Sequence, residues 1–201
     1  MKTALAIGLL VIAPLRASLA TDSAVVVFTQ PVVERQPIYL APQQADDFAL
    51  SGGAQITAIR FWGGYGIAST PASEEFEVSF FAAADAQVPD DPTPGGRPPR
   101  PPILDPESTP FVSFSPLSGA RAPTDFLTFP GHTVFVFDLQ LPQPVAVRAS
   151  ETYFLSLTYL PPRPWAWSGA GGDRHRYRLA ETESWISRGP DLAFELIGTP
   201  I

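Results

Sequence analysis

Two tryptophans, Trp165 and Trp167, stand two residues apart behind Pro161-Pro162-Arg163-Pro164. In an extended segment such side chains project to one face, giving a flat aromatic pair suited to stacking on sugar rings. The competing reading is packing in a core, where each indole buries a large apolar area, and packing is preferred for at least one of the two. Further on, Arg174-His175-Arg176-Tyr177-Arg178 is the densest positive run in the chain. As a strand it sets Arg174, Arg176 and Arg178 on one face and His175 and Tyr177 on the other. Three aligned guanidinium groups suit the carboxylates, sulfates or phosphates of an anionic polysaccharide, with Tyr177 joining the tryptophans as a stacking group. A solvated edge pairing with Asp173, Glu181 and Glu183 is the simpler reading, and arginines there deter edge-to-edge aggregation. Asp46, Asp47 and Asp191 offer hard oxygen ligands to Ca²⁺, which takes six to eight of them. Their structural alternative is bonding to backbone amides where strands begin.

Catalytic patterns are sparse. Glu75 and Glu77 share a strand face, and paired carboxylates hydrolyse glycosidic bonds when they stand about 5–9 Å apart. Glu74, Glu75 and Glu77 read more simply as a solvent face alternating with Phe76 and Val78. His132 and His175 are the two histidines and have no metal-ligand spacing. No Gly-x-Ser-x-Gly elbow, Gly-x-Gly-x-x-Gly turn or phosphate loop is present, so the chain is expected not to be an enzyme and to need no cofactor beyond a structural calcium.

The elements that would position these residues are strands. Glu75 to Phe80 alternates strictly, with Phe76, Val78 and Phe80 to one side and Glu75, Glu77 and Ser79 to the other. Ala24 to Phe28, Gln55 to Trp62, Thr133 to Leu139, Tyr153 to Tyr159 and Leu192 to Ile197 are rich in β-branched and aromatic residues. Turn formers separate them: Ser51-Gly52-Gly53, Gly63-Gly64, Pro130-Gly131, Pro161-Pro162 and Gly169 to Gly172. With 24 Pro and 15 Gly among 201 residues, a long helix has little room. The pattern predicts an all-β fold, a single antiparallel β-sandwich of jelly-roll-like kind. Trp62 and Trp185 are its expected core tryptophans. From Val88 to Pro110, nine of 23 residues are proline. Such a stretch lacks amide donors for a sheet or helix, so an extended Pro-rich loop inserted between two strands is expected.

The first twenty residues set the compartment. Lys2, an apolar run from Ala4 to Ala13 and the small-residue stretch Ala17-Ser18-Leu19-Ala20 predict a signal peptide, 1–20, cleaved after Ala20. The remaining residues, 21–201, then form one domain, with 88–110 as the insertion and no stretch long enough for a membrane helix. Cleavage removes Lys2 and Arg16, so 13 basic residues become 11 against 20 acidic ones, a formal charge of −9. A chain so acidic lacks the positive field that nucleic acid requires. It also has no cysteine, so a secreted domain of this sequence depends on its core rather than on disulfides.

Several short phrases recur in a telling order: Ala45-Asp46-Asp47-Phe48 with Leu50, Phe61-Trp62-Gly63-Gly64-Tyr65, the Phe76-Val78-Phe80-Phe81 alternation, Tyr153 with Leu155-Ser156-Leu157, the Trp165 and Trp167 pair, and Asp191-Leu192-Ala193-Phe194-Glu195-Leu196 with Gly198. Over about residues 24–199, outside the proline insert, this order resembles the uncharacterised β-sandwich domain of bacterial secreted proteins of the PEP-CTERM exosortase type. The resemblance implies a surface or exopolysaccharide-associated component without catalytic residues. It departs from that family at Gly198-Thr199-Pro200-Ile201, where a Pro-Glu-Pro motif, membrane helix and basic tail would follow. Two functions are therefore expected: a non-catalytic structural protein of the extracellular layer, or a calcium-assisted carbohydrate-binding module. Exposure of the tryptophans separates them.

Overall fold

Phe76, Val78 and Phe80 are fully buried while Glu77 between them is half-exposed, and this two-residue logic builds strand after strand. The computed structural model describes residues 23–33, 39–41, 43–65, 74–83, 109–127, 133–160, 165–172, 175–178 and 185–201. Among them are fifteen strands and no helix. The first eight are β1 (Val25–Gln30), β2 (Tyr39–Leu40), β3 (Gln43–Ala49), β4 (Ala54–Tyr65), β5 (Phe76–Ala82), β6 (Val112–Leu117), β7 (Ala120–Leu127) and β8 (Thr133–Val147). The rest are β9 (Thr152–Tyr159), β10 (Trp165–Trp167), β11 (Gly169–Gly171), β12 (His175–Arg178), β13 (Ile186–Arg188), β14 (Asp191–Leu192) and β15 (Phe194–Pro200).

These strands pair antiparallel into two large sheets. One runs β1-β15-β4-β10-β2, with β8 on the other side of β4 and β7 outside β8; the second runs β13-β12-β3-β9-β5-β6. A short β11-β14 ribbon accompanies them. The all-β sandwich expected from the alternation is therefore the fold. All six segments read as strands overlap strands. Of the turn signals among the described residues, Ser51-Gly52-Gly53 lies between β3 and β4, but the turns expected at Gly63-Gly64 and Gly169 to Gly172 are corrected: Gly63 and Gly64 pair with β10 inside β4, where small residues admit close strand packing, and Gly169–Gly171 forms β11 against β14.

Between the sheets lies one aromatic core. Phe61, Phe137 and Phe194 from the first sheet meet Phe76, Phe80 and Leu155 from the second, all at most 1 % exposed. Phe61 stacks on Phe137 with centroids 5.0 Å apart and meets Phe76 edge-on at 5.1 Å. Each such pair adds about 0.5–1.5 kcal/mol to the hydrophobic contribution of its rings, so a core without disulfides has ample cross-sheet stabilisation.

Parity along β4 decides the tryptophans. Phe61 and Tyr65 belong to the core, so Trp62 takes the opposite face, where it is half-buried. Trp185 is also half-buried, against Phe81 in a small second cluster. The expectation that Trp62 and Trp185 fill the main core is thus corrected: Trp165 and Trp167 do so instead, at 3 % and 0 % exposure.

The proline-rich expectation, Val88 to Pro110, falls almost wholly outside the described residues. Its flanks are placed: β5 and β6 pair directly, Phe80 opposite Val112, so residues 84–108 connect two neighbouring strands.

Candidate functional site

The tryptophan pair sits on β10, wedged between β4 and β2. Trp165 lies opposite Tyr65 and Trp167 opposite Gly63, all directed inward. Gly63 makes this possible, since a Cβ there would stand 2.5 Å from Cζ2 of Trp165 and 2.7 Å from the Ala166 carbonyl oxygen. Trp165 meets Phe76 at 5.3 Å and Phe61 at 5.9 Å; Trp167 meets Phe194 at 5.8 Å and donates from Nε1 to the Ala193 carbonyl at 2.8 Å. Neither ring presents a face to a ligand. The sugar-stacking role expected of Trp165 and Trp167 is corrected to core packing, because both side chains share the parity of the inward residues of β4.

At this end of the sandwich the core carries a buried charge. Glu74, 5 % exposed, precedes β5, and its Oε1 accepts hydrogen bonds from the Tyr65 hydroxyl and the Arg121 guanidinium. Arg121 also donates to the Tyr65 hydroxyl at 3.1 Å and lies 5.2 Å from the Phe135 ring centroid. Burial, then the bond to Glu74, pushes the Tyr65 phenol up, so it remains a neutral donor. The cluster is a charge-neutral tie joining β4, β7 and the start of β5. The Glu74 Oε2 atom is buried without a hydrogen-bond partner. Glu74 was expected on a solvent face. It shares the parity of Phe76 and Val78, and that signal was available in the sequence. Glu75 is exposed and Glu77 half-buried, as alternation from Phe76 requires.

The acidic trio is partly assembled. Asp46 is 0 % exposed on the inward face of β3, in step with Phe48. Its Oδ2 accepts from the Leu192 amide at 2.6 Å and its Oδ1 from the Asp47 amide at 3.1 Å. Burial holds its carboxyl well above the ordinary range despite the Leu192 bond, with the Asp191 and Asp47 charges adding to the rise. Asp191, at the start of β14, is half-buried, and Gln30 Nε2 donates to it at 3.4 Å. Asp46 therefore bonds backbone amides, the structural alternative to a calcium ligand. Among the described residues no group of three or more His, Cys, Asp or Glu is arranged to hold a metal ion.

Of the arginine run, Arg174 lies outside the described residues. Arg176, Tyr177 and Arg178 lie on β12, whose backbone pairs Arg176 with Ala45, Tyr177 with Gln44 and Arg178 with Gln43. Because β13 pairs on its other side, β12 is not an edge strand. The expected edge role is corrected at the level of the backbone.

Outside the sandwich, on the solvent face of the seven-stranded sheet, Arg60 is flanked in register by Glu195 and Asp138. Arg60 Nε donates to Asp138 Oδ1 at 2.7 Å and its NH1 group to Glu195 Oε2 at 3.4 Å. These three residues were missed in sequence, since they lie 78 and 135 positions apart and only strand pairing unites them.

The fold defines an all-β, antiparallel sandwich domain. A family model described as a domain of unknown function, DUF7901, matches residues 31–190, and the chain belongs to that family. No curated protein and no solved structure matches it. No helix among the described residues is long and apolar enough to cross a membrane.

Proposed function

We propose that the chain is an exported, non-catalytic structural protein of the bacterial extracellular layer, related to the PEP-CTERM group that its phrases resemble. The observation that carries this reading is the use of the strongest ligand-type side chains for the fold itself. Trp165 and Trp167 pack the core, Asp46 ties β3 to Leu192, and Glu74 with Arg121 ties β7 to the sandwich. A core of this aromatic density suits a domain that works outside the cell without disulfides. The signal-type N-terminus supplies the route of export.

Fractionation of cells making the tagged chain tests this reading. The expected result is an extracellular or surface-bound form whose mass begins at Thr21. A chain that stays in the cytosol with residues 1–20 attached would overturn it.

A further inference from the structure

We propose that the outer face of the seven-stranded sheet, at the Glu195-Arg60-Asp138 row with the half-buried Trp62 beside it, binds a neutral, hydroxyl-rich polysaccharide. This deepens the surface-layer reading by naming the polymer class held, and it rests on that reading.

Trp62 and Arg60 are two apart on β4 and face the same way, about 7 Å from each other at the usual rise of a strand. Across the sheet, Glu195, Arg60 and Asp138 occupy three adjacent strands in direct register, so the backbones of Glu195 and Asp138 stand about 10 Å apart, and their carboxylates converge on Arg60 between them. Their side chains are 20 %, 39 % and 39 % exposed, which leaves them within reach of a ligand. The ion pairs also hold them in place, reducing the side-chain ordering that binding must oppose. Each pair engages one carboxylate oxygen, Asp138 Oδ1 and Glu195 Oε2, so the second oxygen of each is an acceptor for a sugar hydroxyl. Beside Asp138 and Val136, β7 presents Ala120 and Ala122, both exposed and small, so no bulky side chain rises on that strand where a polymer would lie. A pyranose stacked on Trp62 has its hydroxyls over the Arg60 row.

Charge selects the polymer class. The row holds one cation and two anions, a formal charge of −1, on a chain already rich in acids, so a uronate or sulfate polymer is repelled and a neutral one is not. This differs from the anionic polysaccharide that the arginine run suggested.

Affinity electrophoresis of the purified exported chain, in gels containing a soluble neutral β-glucan, a neutral galactomannan or a uronic-acid polymer, tests the proposal. At least one neutral polymer should retard the protein and the uronate polymer should not. Asp138→Ala should weaken retardation about tenfold, as expected for a lost hydrogen bond to a charged group. Trp62→Ala should weaken it at least as much and Trp62→Phe less. Melting curves identify variants that remain folded, and exposed Asp138 reads the face without disturbing the core. The proposal fails if no neutral polymer retards the folded protein, if folded Asp138→Ala and Trp62→Phe run as the wild type while Trp62→Ala also does, or if only the uronate polymer binds. Because the assay uses purified protein, its failure leaves the fractionation result standing.

Discussion

Replacing Trp167 by alanine should cost the domain a large share of its stability. The side chain is fully buried, touches Phe61 and Phe194, and donates to the Ala193 carbonyl at 2.8 Å. Truncating a buried Trp to Ala costs about 3–5 kcal/mol. Leaving the Ala193 carbonyl without its donor puts Trp167→Ala at the upper end of that range, since an unsatisfied buried acceptor costs about 1–3 kcal/mol. Against a total stability of about 5–15 kcal/mol, this is a third or more of the whole for an average domain. At roughly 2–4 °C per kcal/mol for a domain of this size, the melting temperature should fall by about 8–20 °C. Trp165 supplies an internal control. Its Nε1 is buried without a hydrogen-bond partner. Trp165→Phe should therefore be milder than Trp167→Phe by about 1 kcal/mol, the net worth of one hydrogen bond. Thermal melts followed by circular dichroism or dye binding measure both. A Trp167→Ala protein melting within about 2 °C of the wild type would refute the packing argument.

Other perturbations have equally definite outcomes. The Asp46 carboxyl is raised in the folded state, so the native chain binds more protons than the unfolded one between the ordinary value of 3.8 and the folded value, and this group's contribution falls as pH rises through that window. Asp46→Asn keeps an acceptor for Leu192 without ionising; its melting temperature relative to the wild type should increase from pH 4 to pH 7, and a constant difference would contradict the assignment. Arg121→Ala leaves the Glu74 carboxylate buried with only Tyr65, so it should destabilise by roughly 3 kcal/mol and by more than Glu74→Gln, measured by urea unfolding. Gly63→Ala forces a Cβ against Trp165 and the Ala166 carbonyl and should cost about 1–3 kcal/mol by overpacking, with an unchanged melt as the contrary result. Because β5 and β6 pair directly, replacing residues 84–108 by a short Gly-containing turn should change loop-closure free energy by about 1 kcal/mol and preserve a cooperative melt.

The strands were legible because alternation is written locally: Phe76, Val78 and Phe80 announce their face whatever the rest of the chain does. The same alternation holds the position of Glu74: its parity with Phe76 and Val78, not its charge, sets the face it takes. Trp62 beside Phe61 was ambiguous. Adjacent strand residues face opposite ways, and sequence does not say which of two large aromatics takes the core. Opposite Gly63, which makes room, the Trp165 and Trp167 pair resolves inward. The Arg60 row was illegible for another reason, since Glu195 and Asp138 reach Arg60 through the register of β15 and β8 on β4. Register depends on bulges such as those at Ile56/Ala58 and Ile197/Gly198, which no local pattern reveals.

Peptide-resolved oxidation of the native protein, with a reagent that modifies exposed indoles, tests most directly whether the tryptophans divide into a structural pair and a surface residue. Trp62 should react while the fold is intact, and Trp165 and Trp167 should stay protected until the domain unfolds. Native-state modification of Trp165 or Trp167 as fast as that of Trp62 would contradict the account, because the pair would then be open to a ligand and not part of the core.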